Sequence, residues 1–112
     1  MPILTADYSV LNHEEMAASI GLKAKHIPML VGSFLEESAP LLESLEGSIN
    51  NKDYAEIKAG AHSIKGSAGN LRFTEIYEMA KEMEFAGTDQ KEDFDFAGYL
   101  DAIKKAVSTI SI

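Results

Sequence analysis

The chain has 112 residues, room for one domain of 12.2 kDa spanning positions 1–112. Apolar residues make up 46% and charged residues 25%, a globular balance that argues against wholesale disorder. A net charge of −8 sets the chain against nucleic-acid phosphates and anionic membrane surfaces, and the absence of cysteine removes disulfides, thiolate metal sites and thiol nucleophiles. No apolar run approaches the roughly 18–20 residues that cross a bilayer. Met1 to Asp7 lacks the basic-then-apolar pattern of a leader, so the expectation is a cytoplasmic protein.

The periodicity is helical nearly throughout, and no stretch alternates as a strand would. Asn12 with Glu15 three positions on predicts a short helix carrying Met16 and Ile20 and ended by Gly21. A long helix follows from about Lys23 to about Ile49. Its stripe is Ile27, Leu30, Phe34, Leu41, Leu45 and Ile49, interrupted by Ser38. Pro28 lies near the start, where proline is tolerated, whereas Pro40 lies inside and should kink or break the helix. Asn50-Asn51-Lys52 reads as a tight connection, and Asp53 with Glu56 opens a third helix. Tyr54, Ile57, Ala61, Ile64, Ala68 and Leu71 give it one apolar face at spacings of three and four. Thr74 is the expected cap of a fourth helix with Ile76, Met79, Ala80 and Met83, and Gly87 its expected end. Thr88 to Glu92 reads as loop. A last helix from about Asp93 carries Phe96, Leu100, Ile103, Val107 and Ile110. Short connections between amphipathic helices favour antiparallel neighbours, so the expected fold is all-α: an up-and-down antiparallel four-helix bundle with an additional short N-terminal helix.

The third helix departs from what folding alone would select. Gly60, Gly66 and Gly69 lie within it, and each glycine costs about 1 kcal/mol against alanine in a helix interior. Ala55, Ala59, His62, Gly66 and Gly69 form a lane of minimal side chains with one imidazole in its middle. The lane is turned about 100° from the core stripe. Close helix packing would explain such a lane, but the Ala61 row already supplies a complete core face. Lys52 to Arg72 also carries four basic residues against two acidic ones, in a chain that is otherwise strongly acidic. A histidine on a bare lane in the one basic patch suits an anionic group brought by a large partner, with Lys58 and Lys65 sharing its face.

A neutral imidazole is a competent nucleophile toward phosphorus near pH 7, provided the attacking nitrogen keeps its lone pair and the other nitrogen's proton is held. If the third and fourth helices form a hairpin turning near Arg72, position 62 lies roughly opposite position 82. Glu84 then either reaches the ring or remains a solvated carboxylate; geometry leaves both open. His13 and His26 form no pair spaced for a metal, and no metal site is expected. Tyr77, Tyr99 and the phenylalanines read as core or core edge.

Ala61-His62-Ser63-Ile64-Lys65-Gly66-Ser67-Ala68-Gly69-Asn70-Leu71 resembles the signature of histidine-containing phosphotransfer (HPt) domains: His, any residue, an aliphatic, Lys-Gly, then small residues. The likeness extends more loosely to Phe34-Leu35-Glu36-Glu37 and to Asp53. It implies a phosphorelay intermediate of two-component signalling. His62 would be the phospho-acceptor, taking a phosphoryl group from a receiver-domain aspartyl phosphate or a histidine kinase and passing it to a response regulator. Lys65 would stabilise the phosphoryl charge, Gly66 would leave room for the partner, and Glu84 would hold the imidazole's tautomer and orientation. Ser67 either donates a hydrogen bond to a phosphoryl oxygen or is simply a small packing residue. Partner contact is expected over Gly66, Gly69, Ala59, Met16 and Ile20.

The resemblance implies no cofactor bound by this chain, magnesium supplied by the receiver, and no independent kinase activity. The expected partners are receiver domains or a hybrid histidine kinase, with the chain itself a monomer. Arg72 departs from the glycine that commonly ends the family's histidine helix, because arginine resists a left-handed backbone. Two other classes compete with this one. An acyl carrier would need a serine after aspartate, and no Asp-Ser occurs. A scaffold that binds receiver domains without phosphotransfer remains the alternative.

Overall fold

The computed structural model describes residues 3–110, so of the stretch read for a leader, positions 1 and 2 lie outside the described residues. The described residues form α1 (His13–Ile20), a 3₁₀ turn (Ala24–His26), α2 (Ile27–Asn50), α3 (Tyr54–Asn70), α4 (Thr74–Thr88) and α5 (Phe96–Ser108), with no strand among them. The protein is all-helical, as its periodicity predicts.

Side-chain caps start three helices. Asn12 Oδ1 accepts the Glu15 amide at 3.0 Å, Asp53 Oδ1 the Glu56 amide at 3.3 Å, and Asp95 Oδ1 the Gly98 amide at 3.0 Å. The last of these places the start of α5 beyond the expected Asp93. Phe94, just before the cap, sits 4.5 Å from Tyr99 ring to ring and pins the entry of the chain as a hydrophobic staple does. Thr74 is not a cap: Phe73 holds that position without a capping side chain, because its ring is buried between Tyr8 and Phe34, at 4.7 and 5.3 Å.

Four of the five helix ends share one device. Gly21, Lys52, Arg72 and Gln90 take left-handed backbones, with φ of 75°, 53°, 63° and 52°. After each, an amide reaches back to close the turn: Leu22 to Ala17, Asp53 to Ser48, Phe73 to Ala68 and Lys91 to Ala86. Only one of the four is glycine. Arg72 therefore adopts the conformation expected to resist it. Gly87 is not a helix end either. It lies buried one residue inside α4, where an added Cβ would meet the Lys58 amide nitrogen at 3.2 Å and the Tyr54 carbonyl oxygen at 3.3 Å. Its role is close approach of α4 to α3.

α2 begins at Ile27, later than expected, and runs unbroken for 24 residues through Pro40, which faces solvent. The buried row is Ile27, Val31, Phe34, Ser38, Leu42 and Leu45, while Leu30, Leu41 and Ile49 are only half-buried. Ser38 continues the stripe instead of interrupting it, since its hydroxyl donates to the Leu35 carbonyl at 3.3 Å. α3 lies between α2 and α4, and α5 packs on α2 and α4. Numbers rise along α3 as they fall along α4: Gly87 meets Tyr54 and Lys58, Glu84 meets His62, and Tyr77 meets Gly69. The segment before α1 crosses the end of these helices. There the Tyr8 amide donates to Thr109 Oγ1 at 2.9 Å and its hydroxyl to Glu75 Oε1 at 2.7 Å. Burial, with the Glu75 carboxylate beside it, keeps that hydroxyl protonated far above the ordinary range.

Candidate functional site

The Ala61 row of α3 is buried, so the neighbouring row is turned outward. The His62 side chain is 67% exposed, standing free of the core on the α3–α4 face. Its Nδ1 lies 2.8 Å from Glu84 Oε2, and the Lys65 ammonium lies 2.6 Å from Glu84 Oε1. One carboxylate thus joins the imidazole and the ammonium, an oxygen to each. The α3–α4 turn is centred on Phe73, one residue past Arg72. That small shift is what places position 84 beside position 62.

Glu84 is 13% exposed, and Oε1 is buried without a well-directed hydrogen bond, so its contact with Lys65 is an ion pair held by charge. Burial alone would raise the Glu84 pKa. The Lys65 ammonium and the hydrogen bond from His62 outweigh burial and hold the carboxyl below its usual value of 4.5. A carboxylate only accepts, so the shared proton belongs to Nδ1 and the lone pair to Nε2, the nitrogen facing away. The arrangement is a solvent-facing imidazole held at Nδ1 by a carboxylate, with a cation one helical turn along.

The small-residue lane divides by function. An added Cβ on Gly66 meets nothing within 4 Å, so this exposed glycine serves no packing. Gly69 is half-buried, and its Cβ would press the Tyr77 ring at 3.1 Å. Gly60, off the lane, gives way to Leu45 of α2 at 2.8 Å, a packing role. Ala59 is exposed beside His62. Met16 and Ile20 are half-buried against the core, so they offer edges of side chains to a partner.

Ser67 is not brought to the imidazole. Five residues on, and so about 140° around the helix, it lines a groove with Ile20, Phe34 and Glu37. Phe85, expected with the other phenylalanines at the core or its edge, is 53% exposed, with the Lys81 ammonium 6.0 Å from its ring centroid. Its place beside Glu84 and outside the Ile76–Met83 stripe was the available signal. Among the described residues, no group of three or more His, Asp or Glu side chains is placed to hold a metal, and no helix is long and apolar enough to cross a membrane.

The outward histidine thus has a carboxylate on one nitrogen, with Lys65 and Gly66 following it on the same helix. The sequence model of the Hpt domain matches residues 29–110, and the chain belongs to that family. Membership places it in the phosphorelays of two-component signalling, whose Hpt domains meet receiver domains or kinases. The matched residues leave out α1. Among curated proteins and among solved structures, none matches this chain.

Proposed function

We propose that residues 1–112 act as one phosphorelay domain, an up-and-down antiparallel four-helix bundle of α2–α5 whose His62 is the phospho-acceptor. The observation that carries this reading is the 2.8 Å contact of Glu84 with Nδ1 of a histidine that is itself 67% exposed. The Nε2 lone pair forms the new N–P bond as the bond from phosphorus to a receiver's aspartyl oxygen breaks, and that carboxylate leaves. The ring gains positive charge in the step, which the Glu84 carboxylate offsets through the Nδ1 proton. Lys65 turns from Glu84 toward the phosphoryl oxygens, so that charge neutralisation and positioning supply most of the assistance. The reverse steps deliver the group to a response regulator.

The receiver is taken to bring magnesium and to dock over Ala59, Gly66 and Gly69, with the edges of Met16 and Ile20 at the rim. The chain is itself the phosphoryl carrier, a cytoplasmic monomer without kinase activity. Incubation with phosphorylated receiver domains, read by intact mass, tests this. A gain of about 80 Da mapped to His62 is the expected result. Receiver binding without any gain in mass would instead make the chain an interaction module.

A further inference from the structure

Arg72 occupies a left-handed backbone position at φ 63°, where glycine would sit without strain. Its guanidinium forks between two helix ends. Nη1 donates to the Gly69 carbonyl near the end of α3 at 2.9 Å, and Nη2 donates to the Ser19 carbonyl near the end of α1 at 3.2 Å. Both carbonyls lie at the negative ends of helix dipoles, where a guanidinium is favoured. The rest of α1's hold on the bundle is small: of its eight residues only Ala17 is buried, with Met16 and Ile20 half-buried against the core. The family's match begins at residue 29, so the fork fastens an element outside that match to the helix bearing His62.

What α1 and the turn that follows it contribute at that point is a wall. Ile20 and the exposed Leu22 face Phe34 and Glu37 of α2 and Ser67 and Asn70 of α3 across a groove of about 400 Å³. Asn70 also lines the neighbouring cleft that holds Lys65, Gly66 and Gly69, so the groove runs into the His62 face.

We infer that Arg72 is a positioning residue for partner engagement. Its fork fixes α1 against the end of α3, so that the Ile20–Leu22 wall stands preformed beside the phosphotransfer face when a receiver domain arrives. This rests on the receiver-docking reading above. A preformed wall spares the ordering that a loose helix would require on binding, so the effect falls on affinity and leaves the chemistry alone.

The test uses the full chain and Arg72→Gly, which keeps the left-handed turn and removes the fork. Three readouts separate the possibilities: amide hydrogen exchange, His62 phosphorylation by phosphoramidate, and transfer from the most active receiver domain across a concentration series. The expected result is loss of exchange protection at Ala17–Leu22 with α3 unchanged, and phosphoramidate labelling unchanged. The half-saturating receiver concentration should rise about tenfold at an unaltered maximal rate. Unchanged protection in α1, or lost protection with unchanged receiver saturation, overturns the inference. A wild-type chain that accepts phosphoryl groups from no receiver overturns the relay reading as well, and is told apart because it fails before any substitution is made.

Discussion

Lys65 and Glu84 are joined at 2.6 Å in the unphosphorylated protein, so the ammonium that would meet a phosphoryl group already has a carboxylate to leave. The same carboxylate holds the His62 Nδ1 proton. Imidazole and ammonium are therefore coupled through one side chain, and perturbing it touches both.

Glu84→Ala removes the tautomer holder and frees Lys65. The expected outcome is phosphoryl acceptance slowed by about 10²-fold without being abolished. Glu84→Gln, whose amide oxygen still accepts from Nδ1, should lose less. Single-turnover transfer from a phosphorylated receiver measures both; equal rates in wild type and Glu84→Ala would return this carboxylate to a packing role.

The coupling also has a pH signature. Glu84 is held below its ordinary 4.5, so its contribution to stability is fully present above that value and is lost as pH falls through the depressed native pKa. The melting temperature of wild type should exceed that of Glu84→Gln by a constant margin from neutral pH down to about pH 5. The margin should then close in more acid solution. Thermal melts across pH read this directly, because the remaining carboxylates are common to both proteins.

His62→Gln should abolish acceptance while changing stability by less than about 1 kcal/mol, since the ring is mostly in solvent. Chemical denaturation beside the mass assay checks both halves. A collapse of the transition would mean that the ring supports the core.

Three glycines in one hairpin should respond differently to the same added methyl. Gly66→Ala meets no neighbour and should stabilise by about 0.5–1 kcal/mol through helix propensity. Gly60→Ala must move the buried Leu45 side chain and should gain nothing. Gly87→Ala presses on α3 backbone and should destabilise by about 1–3 kcal/mol. Urea titrations of the three variants give the order. Gly66→Gln should also block receiver transfer while the helix persists.

Much of this was legible in the letters because it is local. Asn12 and Asp53 announce helices through an acceptor three residues ahead of an amide, and α3 declares its buried row by an unbroken rhythm. The distance from His62 to Glu84 needed one more quantity, the centre of the α3–α4 turn, and an error of one residue there was tolerable because a helical face is broad. What was missed depends on partners far along the chain. Gly87 looks like a stop until the backbone of Tyr54 and Lys58 is seen against it. Ser38 is the local exception, looking like a break until its hydroxyl is paired with the Leu35 carbonyl within its own helix. Arg72 looked like a misfit for a left-handed turn because the two carbonyls that reward it belong to different helices.

α5 rests on α2 and α4, whereas the histidine projects from the face that α3 and α4 share. The exposed Lys105–Asp101 pair on α5, 3.1 Å apart, consequently offers an attachment point for a fluorophore or a sensor chip. A probe tethered there would leave the imidazole unobstructed, so that docking and group transfer could be followed in real time on one immobilised molecule.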